Sequence, residues 1–132
     1  MGDKVTLIEA DSLKATDGGY QFNVRLNWYR SLPLSSLEKF ALALDGQPVP
    51  LEAVRFSYGG REYEFGELDE QVETFWFVQD GLEIRVRQPG QVRRGERHEL
   101  AVEYALRFPY IAIGPGRFLT NTSRHTATQV AG

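Results

Sequence analysis

Tyr20-Gln21-Phe22-Asn23-Val24-Arg25-Leu26-Asn27-Trp28-Tyr29 is the run that decides the fold. Tyr20, Phe22, Val24, Leu26 and Trp28 alternate strictly with Gln21, Asn23, Arg25, Asn27 and Tyr29. A period of two places the first set on the buried face of a sheet and the second set on the opposite face. A helix would scatter the same five large side chains around its circumference. Just upstream, Thr16-Asp17-Gly18-Gly19 has the residues a tight hairpin requires. Lys4 to Leu13 reads as a broken, mostly polar first strand at a sheet edge.

Toward the C-terminus the same grammar repeats. Phe40, Leu42 and Leu44 alternate with Lys39, Ala41 and Ala43, and Asp45-Gly46 closes the strand. Pro48 and Pro50 each remove a ladder donor, so the next segment is not a central strand. Val54–Tyr58 is extended, and Gly59-Gly60 turns it back into Arg61–Phe65. Gly66 to Val72 is the single place that admits a helical turn. Phe75 and Phe77 alternate with Trp76 and Val78, so both faces are apolar there: a buried central strand, or a strand with its outer face covered. Trp76 is then either the second face of that strand or an exposed anchor. Asp80-Gly81 leads into Leu82, Ile84 and Val86; after a loop bracketed by Gln88-Pro89-Gly90 and Arg94-Gly95 come Leu100, Val102, Tyr104, Leu106 and Phe108.

About seven or eight short strands with frequent turns and no helical period predict an all-β chain, a two-layer antiparallel β-sandwich of immunoglobulin-like or jelly-roll-like character. The sandwich is expected over residues 1–113. Gly114-Pro115-Gly116 breaks the pattern, and 114–132 reads as a C-terminal tail, flexible or ordered by a partner through Phe118 and Leu119.

The bulk properties exclude several functions. The 132 residues suffice for one domain with an ordinary core. Without cysteine there is no disulfide, thiolate nucleophile or sulfur-ligated zinc. No apolar run approaches the ~18 residues of a membrane helix, and the first residues lack the apolar core of a secretion signal, so a cytoplasmic protein is expected. The net charge of −3 divides into −6 over the first 106 residues and +3 from Arg107 onward, a stretch that holds Arg107, Arg117 and Arg124 and no acidic residue. Three arginines do not make the clustered basic face that nucleic acid demands.

No constellation for catalysis emerges. His98 and His125 share no local geometry for a metal, no serine sits in a nucleophile elbow, and no helix follows Gly114-Pro115-Gly116 to cradle a phosphate. Asp69 with Glu70, and Glu62 with Glu64, read as solvated surface. No catalytic residue and no cofactor are assigned to this chain. What stands out instead is a loop of unusual composition, Tyr29-Arg30-Ser31-Leu32-Pro33-Leu34, whose leucines need either the end of the core or a partner. Arg107-Phe108-Pro109-Tyr110 raises the same question.

Asn27-Trp28-Tyr29-Arg30-Ser31-Leu32-Pro33-Leu34-Ser35, then Asp45-Gly46, Val49-Pro50 and Arg107-Phe108-Pro109-Tyr110, resemble the small β subunit of bacterial C-glycoside deglycosidases, over about Tyr20 to Ile111. The resemblance implies an accessory β subunit that assembles with a TIM-barrel α subunit as a hetero-oligomer. That α subunit would carry the acid–base residues and a divalent metal, manganese in the usual case. The complex would act as a carbon–carbon lyase on a 3-keto C-glycoside. It also implies a partner interface at Tyr29, Arg30, Leu32, Pro33, Leu34, Arg107, Phe108, Pro109 and Tyr110. Arg30 and Arg107 have an internal alternative, ion pairs fixing a corner of the sandwich. Tyr110 has another, a buried corner tyrosine with its hydroxyl on backbone. The rival to the whole reading is a stand-alone carbohydrate-binding or structural β-sandwich module.

Overall fold

Tyr20, Phe22 and Val24 point into the core, as their alternation dictates, in the computed structural model, which describes residues 7–26, 31–77 and 79–132. The expectations for Lys4 to Thr6, for Asn27 to Arg30 and for Val78 lie outside the described residues, as does the side chain of Pro109.

Eleven strands are described. They are β1 (Lys14–Thr16), β2 (Gly19–Val24), β3 (Leu32–Pro33), β4 (Leu37–Leu44), β5 (Gln47–Pro48) and β6 (Val54–Tyr58), then β7 (Arg61–Tyr63), β8 (Phe75–Trp76), β9 (Leu82–Val86), β10 (Arg97–Gly114) and β11 (Arg117–Val130). Three are only two residues long, which accounts for the excess over the seven or eight expected. One sheet has the order β1-β2-β9-β6-β7, the second β11-β10-β4-β5, and β3 pairs with β8 as a small third sheet. All pairings among the described strands are antiparallel. The two larger sheets form the sandwich, with Phe40 of β4 and Phe56 of β6 in edge-to-face contact at 5.0 Å between them.

Turn chemistry acts where it was legible. Gly59 and Gly60 both have positive φ, as a two-residue hairpin turn between right-twisted strands requires. Gly19 is needed for another reason: a Cβ there would lie 1.9 Å from the carbonyl oxygen of Val86. The helical turn expected near Gly66–Val72 is a 3₁₀ turn at Phe65–Glu70, capped reciprocally by Glu64 and Glu67. Pro48 sits in the edge strand β5.

Three expectations are corrected. The first strand is not Lys4–Leu13. Among the described residues the pairing with β2 is a single bridge, Ile8 to Val24, followed by a turn and then β1. Asp11 at φ 55° makes that turn. Of the two readings of the Phe75–Val78 run, the buried central strand does not hold for the described residues: β8 is a short strand with Trp76 buried and Phe75 and Phe77 exposed.

Residues 114–132 are not a tail. Gly114-Pro115-Gly116 is a hairpin turn, and β11 runs back along nearly all of β10, from Gly114 opposite Arg117 to Arg97 opposite Val130. Its end is bonded to the other sheet: the Gly132 N–H donates to the Leu13 carbonyl and the Ala15 N–H to the Gly132 carbonyl. Gln129 fastens the same corner. Its Oε1 accepts from the Ser12 and Leu13 N–H groups at 3.1 and 2.9 Å, and its Nε2 donates to the Glu9 carbonyl.

Candidate partner-binding surface

β10 outruns its neighbour. Its register with β4 ends at Leu106 opposite Leu37, and from Arg107 onward β10 is paired only with β11. There the ladder breaks: Arg107 faces Thr120, and the next pair is Ala112 with Phe118. Residues 108–111 of β10 therefore oppose Leu119 alone. Pro109 has no N–H to give a ladder, and an expanded bulge is the backbone's way of accommodating it. The bulge sends neighbouring side chains in different directions. Phe108 is 1% exposed, in the core, whereas Tyr110 is 41% exposed, with its ring 6.4 Å from that of Phe108.

Beyond the bulge the hairpin projects as a two-stranded arm. Ile113, Phe118 and Leu119 are exposed on it at 57, 37 and 37%. The arm leaves from the end of the sandwich where the Tyr104 hydroxyl donates to the Arg25 carbonyl at 2.7 Å and the Tyr104 ring lies 6.3 Å from that of Trp76. Exposed Phe75 and Phe77 flank Trp76 in the chain. Trp76 is fixed by its indole N–H on the Asp80 carbonyl, and the Phe77 N–H donates to the Tyr58 hydroxyl. One end of the sandwich thus gathers the arm and the Phe75–Phe77 segment.

The sequence-predicted interface residues divide sharply at this end. Leu32 and Leu34 are buried in the core, at 2 and 0% exposure. Leu32 pairs with Trp76 in the small sheet, and the Leu34 N–H donates to the Thr74 carbonyl, opening a 3₁₀ turn over Leu34–Ser36. Pro33 pairs with Phe75 and is partly covered. The expectation that Leu32, Leu34 and Phe108 face a partner is therefore corrected: their side chains fill the end of this chain's own core, the other of the two places open to loop leucines. Tyr29 and Arg30 lie outside the described residues. Arg107 pairs internally with Glu38 at 3.3 Å, while its Nε is buried with no hydrogen-bond partner. Tyr110 is exposed, so the buried corner tyrosine is ruled out. Arg107 and Ser35 line a common hollow of about 360 Å³ with Leu37, Phe65 and Asp69.

Ile113, Phe75 and Phe77 were not singled out from sequence as surface anchors. For Phe75 and Phe77 the signal was misleading, because alternation fixes two faces without saying which is buried. For Ile113 a usable signal existed: apolar side chains on both sides of Gly114-Pro115-Gly116 are unusual for a hairpin tip.

Electrostatics distinguish the arm from the body. No acidic residue follows Glu103 in the chain. Arg124 is paired with Glu103 at 2.7 Å, whereas Arg117, beside the turn, makes no ion pair with the described residues. Elsewhere, the opposite end of the sandwich holds the chain's main titrating cluster. His98 Nδ1 lies 2.6 Å from Asp45 and its Nε2 3.2 Å from Glu96. Partial burial of the ring is outweighed by these two partners, so His98 is held above the usual histidine range. The Glu99 N–H, and then His98, hold Asp45 below the usual aspartate range. The two carboxylates occupy opposite edges of one imidazole, so they do not converge on a point where a metal ion would sit. Among the described residues no three His, Cys, Asp or Glu side chains form a metal-binding group, and no helix is long and apolar enough to cross a membrane.

Comparison with known proteins follows the same outline. The sequence profile of the family described as C-glycoside deglycosidase beta subunit matches residues 4–110. A C-glycoside deglycosidase beta subunit of Arthrobacter globiformis is 34% identical over 116 residues, 88% of each chain. A 3'-dehydrocarminate deglycosidase beta subunit of a Microbacterium species is 34% identical over 107 residues, 81% of this chain and 80% of that one. A C-glycoside deglycosidase beta subunit of Microbacterium trichothecenolyticum is 30% identical over 125 residues, 95% of this chain and 94% of its own.

Proposed function

This chain belongs to the C-glycoside deglycosidase beta subunit family, and on that premise we propose that it is the accessory subunit of a cytoplasmic complex that cleaves the sugar–aglycone carbon–carbon bond of 3-keto C-glycosides. The observation that carries the reading is the kinship with a subunit whose named substrate is a 3'-dehydro compound, joined to a sandwich with an exposed apolar end.

The chemistry explains why a carbonyl is needed. A C-glycoside has no leaving oxygen for an acid to protonate, so hydrolysis by two carboxylates fails. A ketone at C3 acidifies the hydrogen on C2. A general base removes that proton, and the electron pair forms the enolate. The enolate then expels the aryl carbon from C1, which takes up a proton from a general acid as the C1–C2 double bond forms. The base and acid are placed on a TIM-barrel α subunit. A divalent ion there, manganese in this reading, would supply stabilisation of negative charge on the ketone oxygen. The donor set of the described residues does not fit such an ion, and no step is assigned to this chain. Its contribution is to fold stably and present a surface to the α subunit.

Co-expression with the α subunit encoded in the same genome, followed by size-exclusion chromatography with light scattering, tests the reading. A mixed complex of fixed stoichiometry is the expected result. A chain that stays monomeric beside a well-folded α subunit would overturn it and return the chain to the stand-alone module.

A further inference from the structure

We propose that the overhanging end of the β10–β11 hairpin, residues 108–119, is the element that seats in the α subunit, in an apolar groove rimmed by carboxylates; this rests on the subunit reading above. Four of the nine large apolar side chains exposed among the described residues, Tyr110, Ile113, Phe118 and Leu119, fall within ten positions here. A two-stranded ribbon without a sheet or helix to lie on is marginal in water. This one leaves its only other neighbour, β4, at Leu106. Phe108 and Ile111 still pack on the core at its base, but Ile113, Phe118 and Leu119 farther out are exposed and have a clear use in an interface, where aromatic and aliphatic anchors fill pockets.

The shape of the groove follows from the register. Phe118 and Leu119 are consecutive strand residues and point to opposite faces of the ribbon. A flat surface would cover one of them; a groove covers both. The charge follows from the sequence: the arm holds no acid at all, and its Arg117 makes no ion pair among the described residues. A groove bearing Asp or Glu at its mouth would pair with Arg117 and steer the encounter. A second copy of this chain fits worse. Arms meeting one another would bring Arg117 against Arg117, with no acid on either arm to separate them.

The experiment measures affinity between this chain and its α subunit by titration, using wild type, Phe118→Asp, Ile113→Asp, Arg117→Glu and the control Val130→Asp. Val130 is similarly exposed, at 51%, but lies at the far end of β11. All four variants should keep the wild-type melting temperature. Phe118→Asp and Ile113→Asp should each weaken association about thirtyfold or more, Arg117→Glu should weaken it with a reduced salt dependence, and Val130→Asp should leave it unchanged. If wild type assembles and the three arm variants assemble equally well, the arm is not the docking element and the subunit reading stands. If wild type alone is a dimer that Phe118→Asp dissolves while α binding persists, the occupant is a second copy and the proposal is wrong. If wild type does not bind the α subunit at all, the subunit reading itself has failed.

Discussion

The hydroxyl of Tyr104 donates to the carbonyl oxygen of Arg25 across 2.7 Å, and this bond ties the two sheets together at the end from which the arm projects. Tyr104 stands on β10, two residues before that strand leaves β4, and Arg25 follows the last residue of β2. With Trp76 packed beside the same ring, the bond sets how the arm leaves the sandwich. Tyr104→Phe keeps the ring and removes the donor to a part-buried carbonyl. It should cost about 1–2 kcal/mol, read as a lowered urea midpoint at unchanged slope.

Leu32 and Leu34 give the sharpest contrast with the arm. Placing a carboxylate at either leucine buries an unpaired charge. Leu34→Asp should yield insoluble or unfolded chain, and Leu34→Ala should lose about 3 kcal/mol. Phe118→Asp should remain as stable as wild type. Circular dichroism melts of the three variants check this; a folded, stable Leu34→Asp would return the leucines to the surface.

Gln129 tests the status of the C-terminal strand. Its amide satisfies two N–H groups and one carbonyl of the N-terminal segment. Gln129→Leu should leave those three groups unpaired and cost about 2–4 kcal/mol. Truncation after Pro115, which removes β11, should abolish folding. Truncated chain that still melts cooperatively would make the strand an appendage after all.

The two histidines predict opposite pH responses. The contribution of His98, raised by Asp45 and Glu96, is complete below the ordinary histidine value of about 6.5 and is lost as pH rises through its raised value. Asp45, held low, contributes above the ordinary aspartate value and loses that as pH falls through its depressed one. His125 is pushed down by burial, so charging it costs stability as pH falls below the usual histidine range. Urea midpoints followed from about pH 5 to 9 should fall on the alkaline side in wild type and lose that fall in His98→Gln. His125→Gln should remove a loss on the acid side instead.

How much of this was readable beforehand depended on what each residue's neighbours supplied. The run from Tyr20 and the residues Leu100 to Phe108 declare themselves because one face meets the core and the other meets water. β11 hid because neither of its faces is apolar: Thr120, Thr122, Thr126 and Thr128 share the exposed side, while His125, bonded to Ser123, and Gln129 turn toward the N-terminal segment. The alternation of β-branched residues was present, but without hydrophobic contrast. Trp76 against Phe75 and Phe77 was undecidable from sequence, since burial there depends on Tyr104, distant in the chain. The loop leucines need a place away from water, and composition alone does not choose between a partner and the end of the core that in fact holds them.

Metal removal separates the two chains. Chelation with EDTA should abolish cleavage by the complex and leave the melting temperature of this chain alone unchanged. A lowered melting temperature of the isolated chain would place an ion site on it.

The most direct measurement is product release from a 3-keto C-glucoside by separately purified α subunit, by this chain, and by their mixture. The account predicts free aglycone from the mixture alone, with a rate that saturates as this chain is titrated to the stoichiometry of the complex. Full activity from the α subunit without this chain, or none from a mixture shown to be assembled, would contradict it.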